Sequence, residues 1–130
     1  MTKRLILTFV FGTLILTSGF SQITVMGTLT RYREAVPGEE YEGIITLKNA
    51  GKETAQAKVY LKDYTFNAEG ETGYPEPGSI ARSNAGWITL SASTAVLAPG
   101  EIADIKYTLN IPSSDSLSGT YWSMIFIEGI

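Results

Sequence analysis

"AQAKVYLKDY", residues 55 to 64, alternates without interruption: Ala55, Ala57, Val59 and Leu61 fall on one side, and Gln56, Lys58, Tyr60 and Lys62 on the other. Successive side chains of an extended chain point to opposite faces, so an apolar set repeating every second residue describes a strand with one dry and one wet face. The same period recurs on both sides of this stretch. "YEGIITLKN" (41 to 49) sets Tyr41, Ile45 and Leu47 against Glu42, Thr46 and Lys48, and "IADIKYTLNIP" (102 to 112) sets Ala103, Ile105, Tyr107, Leu109 and Ile111 against Asp104, Lys106, Thr108 and Asn110. "ITVMGTLTRYR" (23 to 33) reads as a first strand, with Ile23, Val25 and Leu29 inward, and "WITLS" (87 to 91) as a further one.

Turn chemistry separates these runs. Pro37-Gly38 and Pro99-Gly100 combine a fixed φ near −65° with a residue free to take positive φ, and Asn49-Ala50-Gly51 punctuates the second and third strands. Strands at this spacing without a helical stretch predict an all-β, antiparallel sandwich. One segment departs from the rhythm: "TFNAEGETGYPEPGSIARSNAG" (65 to 86), with four Gly and two Pro, reads as a long crossover or exposed loop.

The N-terminus belongs to a different class. Lys3 and Arg4 precede the uncharged stretch Leu5 to Leu16 and the small-x-small triplet Gly19-Phe20-Ser21, the pattern of a secretory signal peptide over residues 1–21 with cleavage before Gln22. A retained anchor is the competing reading, although twelve helical residues rise only about 18 Å against a hydrocarbon core of about 30 Å. Without Cys there is no site for a lipid anchor here. The expected domain is residues 22–130, secreted, periplasmic or at the cell surface, with no membrane span once the leader is removed.

Composition narrows the chemistry. The leader holds two of the ten basic residues and none of the thirteen acidic ones, leaving eight against thirteen and a net charge of −5. That balance argues against nucleic acid, which requires a basic face. Zero Cys excludes disulfides, thiol catalysis and thiolate zinc, and zero His removes the Ser-His-Asp arrangement and the commonest metal ligand. No cofactor is expected.

"DSLSGTYWS" (115 to 123) resembles the opening of strand F in immunoglobulin-like domains. The resemblance implies that Tyr121 is a tyrosine corner whose hydroxyl bonds back toward Asp115, while Ser123 stands where antibody domains carry Cys. A longer ordered series is similar to bacterial exported domains of the pilus-chaperone (PapD-like) and cell-wall-interacting types. It comprises Pro77-Gly78-Ser79, Arg82-Ser83, Trp87 to Ser91, Leu97 to Glu101, Tyr107 to Pro112 and Gly119 to Trp122. Pilus chaperones have a second domain and paired basic residues for a subunit's terminal carboxylate. With one domain, the resemblance implies a chaperone-like module or surface scaffold rather than a working assembly chaperone.

Candidate sites follow from residue type. Trp87 and Trp122 read as packing residues, whereas Tyr60, Tyr64 and Tyr74, outward or in the long loop, are the candidates for stacking on a glycan. Asp63, Asn67, Glu69 and Glu71 form an oxygen-rich stretch without calcium-loop spacing and are expected to be a solvated turn, so no metal site is assigned. Glu39, Glu40, Glu69 and Glu71 lie on turns rather than in a cleft, and enzymatic activity ranks last.

The chain closes on "GTYWSMIFIEGI" (119 to 130), whose apolar Tyr121, Trp122, Met124, Ile125, Phe126, Ile127 and Ile130 read as a strand buried on both faces. Six strands are counted, A to F, so the seventh, G, is missing beside F. Such an edge presents unpaired main-chain groups and is prone to aggregate or to recruit another strand. Three arrangements are open: a C-terminal extension supplies G, the first strand switches sheets to cover the edge, or another envelope protein donates a strand. The candidate partner-binding residues are Tyr121, Ser123, Ile125 and Ile127. The leading function is a non-enzymatic protein-interaction module of the bacterial envelope; the alternative is a carbohydrate-binding module.

Overall fold

The computed structural model describes residues 22–130, and the expected leader lies outside the described residues. Nine strands follow in chain order: β1 (Ile23–Met26), β2 (Glu40–Asn49), β3 (Ala55–Lys62), β4 (Thr65–Phe66), β5 (Thr72–Gly73), β6 (Ile88–Leu90), β7 (Thr94–Leu97), β8 (Ile102–Asn110) and β9 (Met124–Gly129). A single 3-10 turn, Ala85–Trp87, leads into β6. One sheet has the order β1-β2-β8-β6 and the other β7-β3-β9, while β4 and β5 form a separate small hairpin. All strand pairs are antiparallel. This is the all-β sandwich that the two-residue period predicts.

The inward sets meet as expected. Ile45 and Leu47 from β2, Val59 from β3, Ala95 and Leu97 from β7 and Ile105 from β8 form the buried core. Ile23, Val25, Leu90, Ala103, Tyr107, Ile125 and Ile127 pack against it half-buried. Both Pro-Gly pairs make the expected turns, with Gly38 at φ +84° and Gly100 at φ +75°. At the β2–β3 turn the buried Asn49 does the work. Its side-chain amide donates to the carbonyls of Glu53 (2.7 Å) and Leu97 (2.9 Å), and its Oδ1 accepts from the Gly51 amide (2.9 Å).

Several expectations change. The first strand stops at Met26 instead of running to Arg33, because Gly27 at φ +83° turns the chain off β2, and Leu29 ends 80% exposed. The carbonyl of Ile44, beyond the reach of β1, is instead capped by the Arg31 guanidinium at 2.6 Å. The first strand does not switch sheets; it pairs with β2. The switch occurs after Trp87, where the sequence reading has a single strand and the structure has two. Ser91 hydrogen-bonds β8 through Lys106, Ser93 accepts from Val59 on β3, and Ala92 between them turns into the core. The long loop is not featureless either, since it contains the β4–β5 hairpin.

Candidate functional site

The site is built around β9. Its pairing with β3 runs from Ala57 opposite Gly129 to Lys62 opposite Met124, and no strand among the described residues pairs with its other edge. The amide of Ile130 donates to the Gln56 carbonyl at 3.0 Å, which fixes the phase of the ladder. In an antiparallel pair both polar groups of a residue point to the same side, alternating along the strand. The even residues of β9 are therefore bonded to β3, and Ile125, Ile127 and Gly129 turn their N–H and C=O groups outward. β3 obeys the complementary phase, its odd residues facing β7, as the Val59 amide donating to Ser93 shows.

Residues 121 to 123 approach this edge in irregular conformation and are held from the β3 side by the long loop. The Trp122 amide donates to the Arg82 carbonyl (2.9 Å), the Trp122 carbonyl accepts from the Asn84 amide (3.2 Å), and the Ser123 hydroxyl donates to Asn84 Oδ1. Of the four candidate residues, Ile125 and Ile127 turn their main chain to the unpaired side, whereas Tyr121 and Ser123 lie outside the strand and are held by the long loop, the Tyr121 carbonyl accepting from Asn84 Nδ2 at 3.5 Å. Full burial on both faces is not observed: Tyr121 to Ile127 are all half-buried and Glu128 to Ile130 exposed, since only Ile125 and Ile127 face the core. The Tyr121 ring packs against Trp87 (4.9 Å between centroids) and the Arg82 guanidinium. Its hydroxyl makes no hydrogen bond to Asp115 or to any other described residue, so the tyrosine corner is not formed.

What positions the long loop is Asp63. Following the inward parity of β3, it is fully buried, and its carboxylate accepts from the amides of Gly78 (3.1 Å), Ser79 (2.6 Å) and Ile80 (3.0 Å) and from the Ser83 hydroxyl. Burial alone would raise its pKa; the Ser83 hydroxyl and the three amides outweigh that and hold it below the ordinary carboxylate value. The solvated acidic turn expected here is therefore split in two. Asp63 is a buried anchor, and Asn67, Glu69 and Glu71 form the exposed β4–β5 turn, in which Asn67 Oδ1 accepts from the amides of Glu69 and Glu71.

On the outer face of the β9 sheet, aromatic rings form a continuous row. Tyr60 stacks on Phe126 (5.5 Å), Phe126 meets Tyr74 edge-on (5.1 Å), and the contacts continue through Tyr64 and Phe66 to Trp122 at 5.7 to 6.1 Å. All three tyrosines singled out for glycan contact lie in it. Phe66, Phe126 and Trp122 were missed as members, because their alignment depends on the β4–β5 hairpin folding back over the sheet. Phe66 is 64% and Tyr74 48% exposed. An open cleft of about 320 Å³ lies at the Trp122 end, lined by Tyr64, Phe66, Ile80 and Arg82 among others. Both tryptophans pack, but outside the core between the sheets: Trp122 Nε1 donates to the Tyr64 carbonyl at 2.8 Å, and Trp87 lies on Tyr121.

Among the described residues no group of three or more acidic, His or Cys side chains is placed to hold a metal ion. Nor is any helix there long and apolar enough to cross a membrane.

No family model matches the chain, and no curated protein matches it. Among solved structures it is similar to the ASH / PapD-like domain of human CEP192 (PapD-like domain 7), at 14% identity and a TM-score of 0.45 over 72% of this chain and 63% of that one. It is also similar to the CsuC–CsuE chaperone–tip adhesion subunit pre-assembly complex from the archaic chaperone-usher Csu pili of Acinetobacter baumannii. There the identity is 16% and the TM-score 0.42, over 68% of this chain and 46% of that one. The chain spans less than two thirds of either. These are likenesses to PapD-like sandwiches; the architecture itself stands on the strand pairing described above.

Proposed function

We propose that residues 22–130 form an exported, non-enzymatic module that works by protein contact at the cell envelope, after removal of residues 1–21 as a leader. The contact runs through the open edge of β9, which receives an extended strand. The observation that carries this reading is the phase of the ladder. Successive odd residues of β9 offer unpaired N–H and C=O groups along one straight edge, with Ile125 and Ile127 beside the core for an incoming apolar side chain to cover. Amide exchange tests it. The amides of Ile125, Ile127 and Gly129 exchange fast in the monomer and are protected when a partner strand occupies the edge. Protection confined to another surface would overturn the reading.

A second reading is supported by the aromatic row, whose exposed Phe66 and Tyr74 offer ring surface for stacking on a sugar. Cell-wall glycans or soluble polysaccharides should then shift the Tyr and Trp fluorescence, and Phe66→Ala should abolish the shift. An unshifted spectrum with the glycans at saturating concentration removes this alternative.

A further inference from the structure

Resting on the strand-addition reading, we infer that the strand received at the β9 edge is β9 of a second copy of this chain, laid antiparallel about a twofold axis that passes between Phe126 and the partner's Phe126.

The phase of β9 restricts how two copies can meet. Only odd residues have free main-chain groups, so bonded pairs must join odd to odd, and each register is labelled by the residue at its centre. With Phe126 at the centre, Ile125 faces Ile127 of the partner subunit and Ile127 faces the partner's Ile125. Both pairs lie on the core side, where these residues are half-buried at present. On the outer face Phe126 meets the partner's Phe126 and extends the Tyr60–Phe126 stack across the junction. Met124 stands opposite the partner's Glu128, and Ser123 is bonded to the partner's Gly129.

Neighbouring registers are worse. Centring on Ile127 sets Phe126 against the partner's Glu128 and leaves Ile125 opposite Gly129. Centring on Glu128, the only charge in β9, opposes two like carboxylates. Centring on Ile125 faces Ile127 with a serine. One register therefore matches apolar to apolar on the inner face and aromatic to aromatic on the outer face, with no like charges opposed. The product is a continuous six-stranded sheet, β7-β3-β9 joined to its twofold copy.

Sedimentation of the purified chain across a concentration series tests the proposal. The expected result is a reversible monomer–dimer equilibrium. Gly129→Pro removes one outward amide per copy and no bond to β3, so the dimer dissociation constant should rise about 5- to 150-fold. Phe126→Lys and Phe126→Glu should each be monomeric alone, with like charges meeting at the axis, and should recover the dimer when mixed one to one. The two variants lose the same stacking on Tyr60 and Tyr74, so recovery on mixing separates contact from misfolding. A wild-type protein that stays monomeric to roughly 1 mM, or a dimer that Gly129→Pro leaves unchanged, overturns the inference. If the monomer nonetheless gains protection at Ile125, Ile127 and Gly129 on adding an extended apolar peptide, strand addition stands and self-pairing falls. If neither occurs, both fall.

Discussion

Replacing Asp63 by Ala should cost this sandwich a large part of its stability. The carboxylate is fully buried and accepts four hydrogen bonds, three of them from main-chain amides of residues 78 to 80. A bond to a charged group contributes about 1.5–3 kcal/mol, but Gly78 and Ser79 are exposed and their amides regain water once released. Discounting for that leaves about 3–4 kcal/mol, against a total of roughly 5–15 kcal/mol for a domain of this size. In urea, with a slope of about 1–3 kcal/mol/M, the midpoint should fall by roughly 1–4 M. The released loop also loses its hold on Trp122 through Arg82 and Asn84, so the tryptophan emission should move to the red. The pH dependence has a definite sign. The folded-state pKa lies below the ordinary value of about 3.9, so the stabilisation is complete above that value and is lost as pH falls through the lower folded value. Wild-type protein should therefore lose more stability below about pH 4 than Asp63→Ala does. A midpoint within about 0.3 M of wild type, or parallel acid profiles, would refute the role assigned to this carboxylate.

Other substitutions probe different parts of the fold. Asn49→Ala removes three side-chain hydrogen bonds at a buried turn and should lower stability by about 2–4 kcal/mol, read from the same urea midpoint. Gly43→Ala would put a methyl group 2.2 Å from the Tyr107 ring, so the ring must move and give up its contact with Arg31. A loss of about 1–3 kcal/mol is expected, and an unchanged melting curve would show that the ring shifts freely. Arg31→Ala uncaps the Ile44 carbonyl and should speed protease cleavage within residues 28 to 36 while changing global stability by less than about 1 kcal/mol.

Where side-chain alternation is long and unbroken, the sequence is a sufficient guide. β2, β3 and β8 appear with the expected faces inward, because a one-residue slip would turn every apolar residue of the strand to solvent. Short elements carry no such constraint. β6 and β7 have three and four residues each, and nothing in "WITLSASTAVL" marks Ser91 and Ser93 as belonging to different sheets. Ile23, Val25 and Leu29 share one parity and suggest a strand running on to Arg33, yet Gly27 at positive φ diverts the chain and Leu29 covers no core. The open edge of β9 was expected from a count of six strands, whereas the two sheets hold seven; the edge is open because the added strand, β7, pairs with the other side of β3. Asp63 was not legible, although its place in the inward series after Leu61 was a usable signal: an acid on the dry face of a strand needs a nest of donors. The aromatic row was half legible, as Tyr60, Tyr64 and Tyr74 are visible in the sequence and their meeting with Phe126 is not.

The passage from β6 to β7 gives the two layers a shared spine. Three residues, Ser91 to Ser93, stitch the outermost strand of one sheet to the outermost strand of the other, while β1 and β9 end the same sheets at the far side. The molecule is thus bound like a book, and its thermal breathing should grow from spine to fore-edge. Slow amide exchange belongs at the interior strands β3 and β8, and fast exchange, in the monomer, at β1 and the outward amides of β9. A load that separates the layers must also strain the β2–β3 and β8–β9 connections, which cross between the same two sheets.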